Sequence, residues 1–135
     1  VDRLREGSEA IVELLESLFK GVFIHRYRDS NEHIRAASIE GFGRWILALP
    51  KQFAQDNFLK YLGWTLNDPK PCVRIAALRS LTHIFETEDI DFSPFERFNS
   101  RFLPRLHGLA TDVNGEVIKE SIRLLRVMFN AGLLP

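Results

Sequence analysis

The sequence predicts an all-α protein built from about three stacked helix pairs. Apolar residues recur every three or four positions along almost all of the 135 residues, which is the spacing of amphipathic helices. Strict alternation of apolar and polar residues, which would indicate strands, is scarce. Several residue types also return at fixed offsets along the chain, as they do in repeat proteins.

The composition limits the classes of protein to which the chain can belong. Its 18 Lys and Arg residues balance 18 Asp and Glu residues, so the formal net charge is zero, which argues against a surface that coats nucleic acid. Cys72 is the single cysteine, which excludes an internal disulfide and a Cys-based zinc cluster. No apolar run approaches the roughly 18 residues that a membrane span needs, so no membrane partner is expected. The chain begins with Val1 rather than Met, and we expect a piece of a longer protein.

The first helix pair is predicted over about residues 8–49. Ser8 can cap its first helix. The apolar stripe of that helix comprises Ile11, Leu14, Leu15, Leu18, Val22 and Phe23. The stripe of the second helix comprises Ile34, Ala37, Ile39, Phe42, Trp45, Ile46 and Leu49. Pro50 then starts a new element, because proline favours the first position of a helix.

The second pair is predicted over about residues 50–87 and the third over about residues 93–132. Asp56 can cap the helix that carries Phe58, Leu59, Leu62 and Leu66. An acidic linker separates the two pairs. The string Ser93-Pro94-Phe95-Glu96 has the pattern of a capping box with proline at the first helical position. Pro104 should bend the helix that follows.

The three pairs align as repeats on Asp29, Asp68 and Asp112, which are 39 and 44 residues apart. Five residues later stand Ile34, Val73 and Val117; nine later Ser38, Ala77 and Ser121; ten later Ile39, Leu78 and Ile122; thirteen later Phe42, Leu81 and Leu125. These periods fit HEAT or armadillo repeats. The sequence therefore predicts a HEAT/armadillo-like α-solenoid fragment of about three helix pairs.

The alignment assigns a physical role to each of these positions. The aspartate closes the turn between paired helices, and the small residue nine positions later allows neighbouring helices to approach. Arg35 and Arg74 occupy the sixth offset of the first two repeats. From there, each arginine can bridge to the aspartate of an adjacent turn. Each pair alone would leave an apolar face uncovered, so stacking completes the core.

Motifs for catalysis or metal binding are missing from the sequence. The four histidines form neither a His-x-x-x-His pair nor a His-Glu-x-x-His motif. Gly41-x-Gly43 follows no predicted strand, so close helix packing is a better interpretation than phosphate binding. Cys72 lies near a helix start, where a thiolate is favoured, but no base is close in sequence. We expect no enzyme, no cofactor and no metal site.

Two segments carry an unusual combination of cations and aromatic rings. The first, residues 20–29, places Lys20, His25, Arg26 and Arg28 around Phe23 and Tyr27. These cations either stabilise a helix C-terminus or contact a phosphate or an acidic peptide. In the second, residues 59–68, Lys60, Tyr61 and Trp64 share one helical face. Trp64 either packs against the next repeat or forms part of a recognition hot spot.

At these two segments, residues 19–86 resemble the stromalin conservative domain of the stromal antigen (STAG-type) accessory subunit of cohesin. The resemblance depends on His25-Arg26-Tyr27-Arg28-Asp29 and on Tyr61-Leu62-Gly63-Trp64-Thr65. A weaker likeness continues through Phe98-Asn99-Ser100-Arg101-Phe102. We expect the domain to cover about residues 19–110.

The resemblance implies a non-enzymatic scaffold of nuclear chromosomes that supports sister-chromatid cohesion. Members of this family bind the kleisin subunit of cohesin and take no small-molecule substrate. With the kleisin they capture short Tyr-x-Phe-type motifs of regulators such as shugoshin, CTCF and the Wapl release factor. They also touch DNA, for which Lys20, His25, Arg26 and Arg28 are the candidate contacts here.

The family's peptide-binding residues can be carried over to this sequence one by one. They match or flank Tyr27, Lys60, Tyr61, Trp64, Phe98 and Arg101. Tyr27 and Trp64 would form the walls of a slot for the motif's Phe, and Phe98 its floor. Arg101 would stack on the motif's Tyr. Arg97 departs from the family, which usually has an aliphatic residue there, and it could narrow the pocket or change the preferred motif.

Overall fold

A computed structural model describes residues 2–135, and all regular secondary structure within them is helical. The helices are α1 (Asp2–Leu18), α2 (Ile24–Arg26), α3 (Glu32–Ala48), α4 (Pro50–Phe53), α5 (Asp56–Thr65), α6 (Pro71–Glu86), α7 (Glu96–Leu109) and α8 (Gly115–Asn130). A π-helical turn (Phe19–Phe23) joins α1 to α2, and a 3-10 turn (Ser93–Phe95) precedes α7. No helix in this part of the chain is both long enough and apolar enough to cross a membrane.

The helices form two layers. Helices α3, α6 and α8 pack in succession as one layer, and α5 and α7 pack side by side in the other. Each of α5 and α7 also packs against the helix that follows it, α6 and α8 respectively. This stacking of helix pairs confirms the predicted all-α solenoid.

Small residues bring neighbouring helices into close contact. A Cβ on Gly43 of α3 would lie 2.8 Å from the Ser80 Cβ of α6, so this glycine serves helix packing. Within the third pair, the buried Ser121 hydroxyl of α8 donates a hydrogen bond to the Leu106 carbonyl of α7 at 2.9 Å. Both contacts place a small residue where two helices pack closely.

An arginine–aspartate ladder, formed by Arg35, Arg74, Asp68 and Asp112, joins successive repeats. Arg35 donates to both carboxylate oxygens of Asp68 at 2.8 and 3.0 Å. Arg74 donates to Asp112 at 3.0 Å. Each arginine also donates to the carbonyl of its own repeat's aspartate, Asp29 or Asp68, at 2.8 Å. The predicted bridge between adjacent turns is thus confirmed.

The ladder carboxylates also close their own turns. Asp68 and Asp112 each accept a bond from the backbone N–H two residues later, both at 2.9 Å. Burial raises the pKa of Asp112, but the N–H of Asn114 and the guanidinium of Arg74 together bring that pKa below its ordinary value. The side-chain bond to Asp68 raises the pKa of Arg35.

Two predicted helix starts are wrong. Helix α1 is already helical from Asp2, so Ser8 lies within it rather than at its start. Helix α5 begins at Asp56, with Gln55 as its N-cap and no side-chain cap. Asp56 is already the first helical residue, one position past the N-cap, and its carboxylate accepts a 3.4 Å bond from Arg97 of α7.

The capping box at residues 93–96 is also wrong. The Ser93 hydroxyl donates to Asp91 at 2.6 Å, and the Ser93 N–H donates to the same oxygen. These two bonds hold the pKa of Asp91 below its ordinary value. The segment therefore begins as a 3-10 turn, and α7 continues through Pro104.

Several residues expected in the core are exposed. Of the six stripe residues predicted for the first helix, only Phe23 is buried, and α1 itself has no buried residue. Ile34 and Ile122 are exposed, while Ile39, Leu78, Val73 and Val117 are fully buried. Ile34 and Ile122 are exposed because α3 and α8 are the outer helices of their layer, whereas α6 has a neighbouring helix of that layer on both sides.

Candidate functional site

A groove between α5 and α7 brings together three of the predicted peptide-binding residues, Lys60, Phe98 and Arg101. This α5–α7 groove has a volume of about 190 Å³. It is lined by Asp56, Leu59, Lys60, Arg97, Phe98, Arg101 and Phe102. A dry cavity of roughly 150 Å³ is enough to hold benzene. The groove therefore has room for about one aromatic side chain.

The floor of the α5–α7 groove is apolar and tightly packed. Leu59, Phe98 and Phe102 are all buried, and the Phe98 and Phe102 rings lie 4.9 Å apart. Phe102 fits directly over Gly63, where an added Cβ would lie 2.1 Å from the ring. A side chain at this position would collide with Phe102, so Gly63 allows α7 to pack this closely against α5.

The rim of the α5–α7 groove carries three cations and one carboxylate. Lys60 lies on the α5 side, with Arg97 and Arg101 on the α7 side. The Arg101 guanidinium carbon is 4.9 Å from the Phe102 ring centroid. Arg97 donates to Asp56 at 3.4 Å, with both side chains largely exposed. An apolar floor under a mainly cationic rim favours a ligand that combines an aromatic ring with negative charge.

The other three predicted peptide-binding residues form an aromatic cluster beside this groove. The Tyr61 ring lies 4.9 Å from Tyr27 and 5.4 Å from Trp64, edge-on to both. Lys60 connects the cluster to the groove, because its Nζ is 5.5 Å from the Tyr61 ring and 5.3 Å from the Trp64 ring. The two halves of the predicted site are therefore adjacent on α5.

Trp64 and Tyr27 differ in their exposure. Trp64 is 38% exposed, so part of its ring is open to a ligand while the rest is covered by the protein. Tyr27 is 8% exposed, and its hydroxyl accepts a 2.8 Å bond from Arg28 Nε. Of the pair predicted as slot walls, Trp64 offers the larger surface to a ligand.

A column of three stacked rings places Tyr27 in the cluster. Phe19, Phe23 and Tyr27 follow one another at steps of four residues, and their rings stack with centroids 4.7 and 5.6 Å apart. Phe19 and Phe23 each contact Phe42 of α3 and Tyr61 of α5. One ring column therefore connects the first repeat to the site on α5.

The DNA-contact candidates Lys20, His25, Arg26 and Arg28 are all exposed, on the π turn and the residues that follow it. Two of them already have partners within the chain. Arg26 pairs with Asp29 at 2.9 Å, and Arg28 contacts the Tyr27 hydroxyl and ring. Backbone and side-chain bonds, first from Asn31 N–H and then from Arg26, lower the pKa of Asp29.

Four groove residues were not among the predicted site residues: Asp56, Leu59, Arg97 and Phe102. Two signals could have found some of them. Phe102 follows Phe98 by four positions and Asp56 precedes Lys60 by four, so each pair shares a helix face. Over residues 2–135, no cluster of three His, Cys, Asp or Glu side chains is arranged to hold a metal ion.

Comparison with known sequences identifies a family match. Residues 28–103 match the sequence model of the family described as the stromalin conservative domain, a narrower range than the 19–110 expected. The chain is 36% identical over 127 residues to cohesin subunit SA-1 of Xenopus laevis. It is 38% identical over 122 residues to cohesin subunit SA-3 of Homo sapiens. It is 37% identical over 130 residues to sister-chromatid cohesion protein 3 of Arabidopsis thaliana.

These alignments cover 94%, 90% and 96% of the chain, respectively, but only 10% to 12% of each relative. A solved structure gives the same result. The fold matches cohesin subunit Scc3 from Z. rouxii with a TM-score of 0.80 and 31% sequence identity. That match covers 91% of this chain and 13% of the Scc3 chain.

Proposed function

Because the chain belongs to the stromalin conservative domain family, we propose that it is a non-enzymatic, partner-binding segment of a cohesin accessory subunit. In this proposal the parent protein acts on nuclear chromosomes and supports sister-chromatid cohesion. The segment binds the kleisin subunit and short Tyr-x-Phe-type motifs of cohesin regulators, for which shugoshin, CTCF and Wapl are the expected sources.

The observation that carries this proposal is the α5–α7 groove, which lies next to the exposed Trp64. In this proposal one aromatic ring of the motif enters the groove over Leu59, Phe98 and Phe102, where the volume is about 190 Å³. Trp64 offers a second aromatic surface one helical turn along α5. A motif with two aromatic residues separated by one position has two rings to place, and the chain supplies two neighbouring places for them.

Each predicted site residue has a distinct role in this proposal. Phe98 and Phe102 form the floor, and Arg101, which lies beside the Phe102 ring, stacks on the incoming ring at the rim. Trp64 and Tyr61 contact the second ring, with Lys60 held over both. Tyr27 buttresses Tyr61 from below, so its contribution is mainly to orientation.

Truncation of the exposed residues tests this proposal. We expect Trp64→Ala and Arg101→Ala each to weaken binding of a labelled Tyr-x-Phe peptide at least tenfold, because buried aromatic and arginine anchors dominate interface energies. The measurement is titration calorimetry with and without a kleisin segment. Both residues are exposed, so the helical circular dichroism signal should not change.

Matched controls come from α8, where Phe129 and Arg126 are exposed and lie outside the groove. Phe129→Ala and Arg126→Ala should leave peptide affinity unchanged. Equal losses in the controls, or no loss in the groove variants, would contradict the assigned site. Binding that requires the kleisin segment would support a composite site shared by the two proteins.

DNA contact is the second candidate function, and the exposure of Lys20, His25, Arg26 and Arg28 on consecutive turns favours it. Binding of a labelled DNA duplex should then weaken steeply between 50 and 200 mM salt, with a slope set by the number of phosphate contacts. Lys20→Ala should reduce this slope, whereas Lys51→Ala on α4 should not. DNA binding whose affinity does not depend on salt concentration would count against contact through these cations.

A further inference from the structure

The exposed Arg97–Asp56 ion pair lies between two cavities. Both residues line the α5–α7 groove of about 190 Å³, and both also line a second cavity of about 440 Å³. The second cavity continues past the start of α5, and Pro50, Ala54, Gln55, Ser93 and Pro94 also line it. Its other two lining residues, Lys51 and Glu96, add one charge of each sign. A peptide that leaves the groove at this end must therefore pass Arg97.

The pair itself is weak. A single contact of 3.4 Å joins Arg97 Nη1 to Asp56 Oδ2, and the two side chains are 88% and 51% exposed. Exposed ion pairs contribute little to stability. A guanidinium has five N–H donors in a planar fork, so Arg97 keeps most of its donors for a ligand.

The charges around the α5–α7 groove favour an anionic ligand. Lys60, Arg97 and Arg101 face it, and Asp56 is the only carboxylate among its lining residues. Lys60 and Arg101 lie over aromatic rings, whereas Arg97 reaches out from the end of the groove. Arginine can form two parallel hydrogen bonds with one carboxylate, whereas lysine interacts with it as a point charge.

We propose that Arg97 is a specificity-determining residue that selects peptides with a carboxylate directly beside the aromatic motif. This inference rests on the proposed peptide-binding function. Arg97 binds the ligand's carboxylate at the end of the groove, and Asp56 opposes this binding because it repels the ligand and competes for the guanidinium. The aromatic motif gives the affinity, and the flanking residue gives the selectivity.

The test is a double-mutant cycle between protein and peptide. Two peptide pairs differ only in one flanking residue: Asp-Tyr-Ala-Phe against Asn-Tyr-Ala-Phe, and Tyr-Ala-Phe-Asp against Tyr-Ala-Phe-Asn. The two pairs cover both chain directions of the peptide. Dissociation constants are measured by fluorescence anisotropy for the wild-type chain and for Arg97→Leu, in the presence of the kleisin segment.

The peptide can lie in only one chain direction, so only one of the two peptide pairs should show a preference. In that pair, the wild-type chain should bind the Asp peptide about two- to fivefold more tightly than the Asn peptide, and Arg97→Leu should bind the two equally. Asp56→Asn should strengthen Asp-peptide binding by a similar factor, and by less in the Arg97→Leu background, where only the repulsion is relieved. Arg97→Lys should keep part of the preference, because it retains the charge without the fork. Arg97 is almost fully exposed, so these variants should keep the wild-type fold.

The outcomes separate this inference from the function on which it rests. If both peptides bind and Trp64→Ala abolishes both, but the Asp-to-Asn ratio is the same in wild type and Arg97→Leu, the role of Arg97 is overturned and the peptide site stands. If no peptide binds the wild-type chain with the kleisin segment, both proposals fall.

Discussion

Arginine–aspartate pairs join neighbouring repeats both in the ladder and at the groove, but their surroundings differ. In the ladder, Arg74 and Asp112 expose only 8% and 10% of their side chains. At the groove, Arg97 and Asp56 expose 88% and 51%. A buried charge that loses its partner destabilises the fold strongly, whereas an exposed charge can exchange its partner for water or for a ligand. The same chemical pair can therefore fix the stacking of repeats at one place and remain available for recognition at another.

The largest expected effect comes from breaking a buried pair. Arg74→Ala leaves the Asp112 carboxylate without its guanidinium and removes the bond to the Asp68 carbonyl. We expect the free energy of unfolding to fall by about 3 to 5 kcal/mol, measured by urea denaturation. The double variant Arg74→Met with Asp112→Asn should recover part of this loss, because it leaves no unpaired charge.

A smaller loss is expected where the floor of the groove is packed most closely. Gly63→Ala forces a methyl group into the Phe102 ring and should cost about 1 to 3 kcal/mol of unfolding free energy. Gly7→Ala is the matched control, since nothing lies within 4 Å of its added Cβ. That change in α1 should stabilise the chain by up to about 1 kcal/mol. Equal effects at both glycines would contradict the tight α5–α7 contact.

Acid should weaken the ladder through Asp112. The folded pKa of this carboxyl lies below its ordinary value, so its stabilising contribution is fully present above the unfolded pKa of about 3.9. The contribution is lost as the pH falls through the folded pKa. Urea denaturation over a pH series should show a shallower acid decline for Asp112→Asn than for wild type. Asp91→Asn should change the decline less, because the bonds that Asp91 accepts are exposed.

The smallest effect is expected at the exposed pair. Arg97→Ala should change the free energy of unfolding by less than about 0.5 kcal/mol, in contrast to Arg74→Ala. Added salt should leave the small effect of Arg97→Ala almost unchanged, because the exposed Arg97–Asp56 attraction that salt would screen is already weak. Destabilisation comparable with that of Arg74→Ala would show that Arg97 holds repeats together, and the contrast between the two pairs would disappear.

The sequence alone predicted the features that repeat. Asp29, Asp68 and Asp112 recur with an arginine six positions after the first two, and this regularity was enough to anticipate the ladder. Fold class followed from helical periodicity, which depends only on local spacing. The relation of Lys60 to Trp64 likewise followed from their shared helix face, since four residues make about one turn.

The rest depended on contacts that local spacing does not encode. The exposure of Ile34 and Ile122 reflects which helices have neighbours on both sides, although both residues fit the repeat pattern. Asp56 and Ser93 are residue types that commonly cap helices, but in the structure the Asp56 side chain bonds to Arg97 and the Ser93 side chain bonds to Asp91. The groove depends on Phe102 meeting Gly63, which are 39 positions apart.

The π turn at residues 19–23 has a further consequence for the phase of the first helix. An α-helix advances about 100° per residue, and a π turn accommodates one extra residue without moving the flanking segments. Phe23 and Tyr27 are anchored against Tyr61. Deletion of Gly21, around which an added Cβ would meet nothing within 4 Å, would therefore convert the π turn into regular α-helix and leave the exposed apolar stripe of α1 on the same side. The π turn thus absorbs the extra residue, and the direction in which α1 faces stays coupled to the aromatic column of Phe23 and Tyr27.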